Sequence, residues 1–307
     1  MLDGPIAWAP PTLDPKTPLR AALSDEGWLE AHAAILARHD LSAEGLSLFP
    51  TGSDIVAGSA AHAVKLTTPR WAAELAVEER WLEHVAGRLS VATPTPVARG
   101  SLAGWPYLVS TRVPGRGFGE VWPSLSRDER LALARALGAL TAEVHALPLP
   151  AGDHGWTAFL AEQLTSAPRR HREDGVPEAL AAQIPAFLER AARSERGLVC
   201  LHTELLGDHV LVEQRGGAWV PSAMIDWADS RVGHPGYDLP AIAEFVFKGE
   251  PGCLGAFMDA LGWSATPDEV MVWGLVHRFG RLRRMLGAAG GETPATLEEL
   301  AARVYRR

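Results

Sequence analysis

The chain has 307 residues, of which 47% are apolar and 21% charged, with a formal net charge of −8. That length suits one large domain or two moderate ones, and the composition is that of a soluble protein with enough apolar mass for a sizeable core. The mild acidity excludes the basic face of a nucleic-acid binder, and no run approaches the roughly 20 apolar residues that cross a bilayer, so neither nucleic acid nor membrane is expected as a partner. Cys200 and Cys253 form no C-x-x-C pair, which leaves them as reduced, buried thiols. Met1-Leu2-Asp3-Gly4-Pro5 lacks the basic start and apolar stretch of a signal peptide. The expectation is a cytoplasmic protein.

Residues 1–20 carry five prolines and are expected to form an extended arm. Ser24 then opens a helical pattern with Trp28, Leu29, His32, Ile35 and Leu36 at three- and four-residue spacing. Leu46–Pro50, Asp54–Ala57 and His62–Leu66 read as short strands, punctuated by Thr51-Gly52-Ser53 and Gly58-Ser59. A helix over about Arg70–Leu89 follows, with Leu75, Leu82, Val85 and Leu89 on its apolar stripe, and then strands over Val97–Gly100 and Trp105–Val113. This order predicts a small antiparallel sheet with one helix against it.

Pro114-Gly115-Arg116-Gly117 marks the expected junction between segments 1–112 and 113–307. Beyond it the chain is mostly helical. Ser126-Arg127-Asp128-Glu129 is a capping box opening a helix to about His145, and further helices are expected near Trp156–Thr165 and Pro177–Ala192. Three β-like runs interrupt, at Leu198–Thr203, Val210–Glu213 and Ala218–Trp227, the last two joined by a Gly216-Gly217 hairpin turn. Helices around Leu239–Phe247, Cys253–Leu261, Pro267–Leu286 and Pro294–Tyr305 complete the chain.

The densest chemical signal lies in 198–240. A strand delivers His202 and Glu204 into a loop, and a hairpin then delivers Asp226 and Asp229. Loops beside a rigid sheet are where sites are built. One carboxylate can orient a hydroxyl nucleophile and accept its proton, while another holds the divalent ion that screens transferring phosphates.

The run His202-Thr203-Glu204-Leu205-Leu206-Gly207-Asp208-His209-Val210-Leu211, followed by Ile225-Asp226-Trp227, resembles the catalytic loop H-G-D-x-x-x-x-N-V-L and I-D-F/W of the aminoglycoside phosphotransferase and choline-kinase-like family. Pro235-Gly236-Tyr237-Asp238-Leu239 resembles its D-P-x-Y-D-L segment, with His234 at the first aspartate. Leu48–Ser53 resembles its nucleotide-covering loop, Ala63-Val64-Lys65-Leu66 the strand whose lysine contacts phosphates, and Trp105–Arg112 the strand entering the interlobe hinge. The matching segments span about residues 45–245 in the family's order.

The resemblance implies an α+β, two-lobed, protein-kinase-like fold. Its N-terminal lobe, 1–112, would hold a small antiparallel sheet plus helix and bind nucleotide; its larger, mostly helical C-terminal lobe, 113–307, would carry the catalytic loop and acceptor site. ATP or GTP would lie between the lobes, with Mg2+, or Mn2+ in its place. Lys65 would hold the phosphates and pair with Glu78 or Glu79; Glu78 is favoured because Leu82 and Val85 then face the core. Ser53 and the backbone of Ser110, Thr111 and Arg112 would meet the nucleotide. Asp226, with Asp229 and His209, would hold the metal. Glu204 would be the catalytic base, with His202 bracing the catalytic loop.

Three departures bear on activity. Glu204 stands where the family has aspartate, moving the carboxylate by about 1.5 Å. His209 stands where the family has a metal-binding asparagine, and imidazole suits manganese, zinc or iron better than magnesium. Thr203 replaces a glycine. Alternatives are therefore a catalytically silent, kinase-like ligand-binding protein and a non-haem iron oxygenase, since His202-x-Glu204 with a distant histidine imitates a two-histidine, one-carboxylate triad. Asp238 reads as a cap for the helix starting near Leu239, and His145 as a packing residue.

For the acceptor, residues 241–307 hold eight acidic and eight basic side chains, with Arg278, Arg281, Arg283 and Arg284 expected on one helix. That balance does not favour a polycation. It fits a small hydroxylated natural product, with Trp156, Trp263 and Trp273 in the helical region where the family places its acceptor. The functional expectation is O-phosphorylation of an antibiotic of nucleoside, macrolide or aminoglycoside type, giving resistance by inactivation.

Overall fold

The computed structural model describes residues 8–13, 18–50, 52–152, 154–190 and 195–306. Part of the expected N-terminal arm, residues 1–7 and 14–17, lies outside them. The chain forms two compact units, Met1–Gly87 with Ala92–Pro114 and Asp226–Asp229, and Arg88–Val91 with Gly115–Ile225 and Ser230–Arg307.

The first unit begins with helix α1 (Asp25–Arg38), which Ser24 caps by accepting from the Gly27 amide at 3.2 Å. Strands β1 (Ser47–Leu48), β2 (Ile55–Gly58) and β3 (His62–Leu66) precede helix α2 (Ala72–Val85), and β4 (Pro96–Leu102) and β5 (Trp105–Thr111) follow it. They form one antiparallel sheet in the order β1-β2-β3-β5-β4. Strand alternation decides the rest. Val64 and Leu66 point into a core with Trp28, Ile35 and Leu36 of α1, and with Trp105, Tyr107 and Val109 of β5. Trp8 adds its indole to those of Trp28 and Trp105, with ring centroids 5.8–6.2 Å apart. Lys65, between Val64 and Leu66, is thereby sent to the opposite face.

The second unit opens with β6 (Arg116–Gly117), α3 (Phe118–Val121) and α4 (Arg127–His145). Ser126 and Glu129 close the expected capping box on α4, with bonds of 3.3 and 2.8 Å. Next come α5 (Trp156–Glu173), α6 (Glu178–Ala181) and α7 (Ile184–Arg190), then β7 (Val199–Leu201), β8 (Val210–Arg215), β9 (Ala218–Met224) and β10 (Arg231–Gly233). Strands β6, β8 and β9 form one antiparallel sheet and β10 pairs with β7 in another. The unit ends with α8 (Leu239–Ile242), a π-helical turn over Ala243–Phe247, α9 (Cys253–Leu261), α10 (Pro267–Val276), α11 (Leu282–Ala289) and α12 (Leu297–Val304). Gly138 lets α4 approach α9, because a Cβ there would collide with the Phe257 carbonyl. Neither cysteine is in a disulfide, and both are buried. No helix among the described residues is long and apolar enough to cross a membrane.

Several boundaries differ from the sequence reading. The helix expected over 177–192 is two pieces broken near Gln183, and its last two positions lie outside the described residues. The helix expected over 267–286 stops at Val276, where His277 turns extended at φ −60° and ψ 135°. Only Arg283 and Arg284 of the four arginines therefore sit on α11; Arg281 approaches Asp174 at 3.8 Å and Arg284 approaches Glu244 at 3.8 Å. The expected single basic helical face is thus a set of separately engaged side chains. Trp156, Trp263 and Trp273 are all buried, which makes them packing residues.

Candidate functional site

In the first unit, β3 delivers Lys65 and α2 delivers Glu78, whose Oε2 lies 2.7 Å from Lys65 Nζ. Glu79 turns away and pairs with Arg99 at 2.7 Å. Asp226 Oδ1 is 3.0 Å from the same ammonium. The Lys65 side chain is 13% exposed, Glu78 8% and Asp226 32%, so the cluster is closed on the Glu78 side and open at Asp226. Burial alone would lower the Lys65 pKa; the carboxylates of Asp226, Glu78 and Asp54 overcome it and hold the group above its ordinary value. Burial raises the carboxyls of Glu78 and Asp54, with Asp226 adding to each shift and Lys65 opposing it. Three carboxylates around one ammonium leave an excess of negative charge, which suits a further cation. Asp226 has φ 62°, a conformation aspartate tolerates better than most residues. Asp229 belongs to the same four-residue segment.

The other positions expected to meet nucleotide are less uniform. Ser53 is exposed. The Thr111 amide donates to Thr95 at 2.9 Å and the Arg112 amide to Ala61 at 2.8 Å, while the Arg112 guanidinium donates to the Ser59 carbonyl at 2.8 Å. Arg112 thus anchors the strand ends of its own sheet.

The residues of the expected catalytic loop lie in the second unit. β7 ends at Leu201, and His202 Nε2 donates to the Ile225 carbonyl at 3.0 Å, since a carbonyl only accepts. Thr203 follows at φ 70°. Glu204 is half-buried, and its carbonyl accepts from His209 Nδ1 at 3.0 Å. That bond places the hydrogen on Nδ1, and Nε2 lies 3.9 Å from the Asp208 carboxylate. The Ile225 amide donates to the His209 carbonyl at 2.9 Å, tying the loop to the strand that leads to Asp226. On the other side, Gly119 donates to the Gly207 carbonyl at 2.7 Å. A Cβ on Gly207 would lie 2.8 Å from Gly119 Cα, so the approach requires glycine.

Asp238 does not cap its helix. Its fully buried carboxylate accepts from the Thr203 amide at 2.6 Å and from His145 Nε2 at 2.8 Å. His145 is accordingly a hydrogen-bonding residue, where sequence alone indicated packing. His277 is a residue that sequence reasoning missed: its Nε2 donates to the Thr203 carbonyl at 3.1 Å. Nothing local in the sequence pointed to it, since the apolar run of α10 leads straight into it.

Among the described residues no three His, Cys, Asp or Glu side chains converge as a metal-binding group. The donors nevertheless fit a hard cation: magnesium is commonly held by one or two carboxylates plus the substrate's own phosphate oxygens.

The sequence model of the phosphotransferase enzyme family (APH) matches residues 57–273. The chain belongs to that family, and its class is that of a small-molecule phosphotransferase with a kinase-like α+β fold. A GDP and kanamycin complex of APH(2")-IIIa superposes with a TM-score of 0.64 at 17% identity, covering 80% of this chain and 90% of that one. The macrolide 2'-phosphotransferase MphH from Brachybacterium faecium superposes at 0.57 with 21% identity, covering 90% and 98%. Among curated proteins, the lysine-specific demethylase JMJ21 of Arabidopsis thaliana is 22% identical over 228 residues, which is 59% of this chain and 24% of that protein. The chain thus matches less than a quarter of that relative's length. Among the described residues the sheets have five, three and two strands, which gives no barrel for the iron-oxygenase alternative.

Proposed function

We propose that the protein transfers the γ-phosphoryl group of ATP or GTP to a hydroxyl of a small natural product, an antibiotic of macrolide, aminoglycoside or nucleoside type, and so inactivates it. The observation that carries this reading is Lys65 held between Glu78 at 2.7 Å and Asp226 at 3.0 Å. A buried ammonium fixed by two carboxylates is a positioned phosphate ligand, and phosphoryl transfer depends on positioning and charge screening more than on covalent chemistry.

In this reading Lys65 holds phosphate oxygens, with Ser53 above them. The Thr111 and Arg112 amides are already bonded within the sheet, so the adenine or guanine edge meets their carbonyls, the backbone at Ser110, and the next amide, Val113. Asp226, with Asp229 and His209, would hold the metal, which screens phosphate charge when bound; an imidazole in the donor set shifts the preference from magnesium toward manganese. Glu204 orients the acceptor hydroxyl and takes its proton. His202, tied to Ile225, braces the loop. The GDP in the APH(2")-IIIa complex gives GTP equal standing with ATP as donor.

The test is thermal shift with ATP and with GTP, each with magnesium or manganese, followed by a phosphorylation screen of macrolides, aminoglycosides and nucleoside antibiotics. A metal-dependent rise in Tm and mass gain of one phosphate on an acceptor are expected. No shift with any nucleotide, and no phosphorylated acceptor, refutes the proposal.

A further inference from the structure

Thr203 lies at φ 70°, in the left-handed region where a β-branched residue is an outlier. The family pattern has glycine here, which adopts that conformation without a Cβ penalty. Strain of this kind persists only where the surroundings over-determine it. Both sides of Thr203 are held. Its amide donates to the buried carboxylate of Asp238 at 2.6 Å, and its carbonyl accepts from His277 Nε2 at 3.1 Å. His277 lies 74 residues away in sequence and is itself fixed in place. Its ring stacks on Tyr237 at 4.4 Å and 23°. Its Nδ1 accepts from the Phe279 amide at 3.2 Å, which sets the tautomer with hydrogen on Nε2. Burial pushes its pKa down to about 3, so the ring stays an uncharged donor at neutral pH. The stop of α10 at Val276 and the extended backbone at His277 give the ring this place.

We propose that His277 is a positioning residue for the phosphotransfer site, holding Thr203 in the left-handed conformation from which Glu204 is presented. In this chain the clamp replaces the freedom that glycine supplies in the family pattern. The inference rests on the reading of Glu204 as base. If the carbonyl bond is removed, Thr203 relaxes toward extended backbone and rotates the peptide that carries Glu204. A displacement of about 1 Å at a reacting group can cost on the order of a hundredfold in rate.

The test is a double-mutant cycle on the full chain, with His277→Phe (stacking kept, donor removed), Thr203→Gly and the two combined. Readouts are phosphate release from GTP and ATP, with magnesium or manganese, and the urea midpoint. His277→Phe should lower kcat about tenfold to a hundredfold, with nucleotide KM within about twofold. In the double variant, Thr203→Gly should restore most of the rate and midpoint lost in His277→Phe, because glycine needs no clamp. His277→Gln, whose amide reaches the same carbonyl, should retain most activity. Additive effects in both readouts, or an unchanged kcat and midpoint in a folded His277→Phe, overturn the inference. If His277→Phe does not fold, refolding of the double variant supports the clamp and its failure to fold refutes it. A parallel Glu204→Gln separates the two readings: coupling between 203 and 277 in the urea midpoint beside an unchanged kcat in Glu204→Gln leaves the clamp standing and removes Glu204 as base.

Discussion

Replacing Asp238 with asparagine puts the loop's support to a direct test. The carboxylate accepts two bonds, 2.6 Å from the Thr203 amide and 2.8 Å from His145 Nε2, and its side chain is fully buried. Asparagine keeps one acceptor oxygen and aims an NH2 group at the second donor. One charge-assisted bond is lost and the other becomes neutral. Such bonds contribute about 1.5–3 kcal/mol each, and a stranded buried donor costs about 1–3 kcal/mol. The expected destabilisation is therefore about 2–4 kcal/mol. At roughly 2–4 °C per kcal/mol for a unit of this size, Tm should fall by about 5–15 °C. Calorimetry without nucleotide measures it, with circular dichroism confirming the native helix content. His145→Ala, which removes only the second donor, should cost less than half as much. A fall below about 1 °C for Asp238→Asn would refute the claim that this carboxylate carries the loop.

Further predictions address the site chemistry and the pH response. Asp226→Asn keeps a residue suited to φ 62° and should lower turnover at least about a hundredfold, with melting near wild type; retained turnover would remove Asp226 from the metal site. Glu204→Gln should depress kcat far more than nucleotide affinity, as read by steady-state kinetics beside isothermal titration. His209→Asn should move the metal-activity profile from manganese toward magnesium. The pH response follows three buried groups. Burial lowers His171 to about 4 and His277 to about 3, so each costs stability as pH falls through 6.5, where the unfolded ring takes up a proton: about 1.3 kcal/mol each between pH 7.5 and 5.5. Burial raises Glu244 to about 7 against the Tyr305 and Arg284 interactions, so its contribution is present at low pH and lost as pH rises through 7, offsetting about 2 kcal/mol of that fall. Glu244→Gln should steepen the pH 7.5-to-5.5 loss by that amount in urea midpoints; an unchanged slope would show that Glu244 titrates normally.

The parts of the molecule legible in sequence were those governed by local period and spacing. The alternation around Lys65 and the buried stripe of α2 pointed to Glu78 in preference to Glu79, and Ser126-to-Glu129 announced the start of α4. The three-residue strand β10 was invisible because so short a run carries no period. Asp238 was misread because an aspartate ahead of a helix resembles a cap, whereas its partners are 35 and 93 residues away. His277 looked like helix interior, since nothing local tells that its ring reaches Thr203. The sequence did mark Thr203 as an anomaly, but a substituted glycine does not name the residues that accommodate it.

The segment Asp226–Asp229 belongs with the first unit although more than a hundred residues of the second precede it in the chain. During synthesis, the strand bearing Lys65 and the helix bearing Glu78 leave the ribosome first, and the second carboxylate for that ammonium follows 161 residues after Lys65. At translation rates of about 5–20 residues per second, that is a wait of roughly ten to thirty seconds. A nascent chain released or cut after Pro114 has the sheet and its tryptophan core but only one of the lysine's two close partners. Completion of the lysine–carboxylate cluster is thus tied to synthesis of the second unit as far as Asp226, and a product truncated before that residue stays without it.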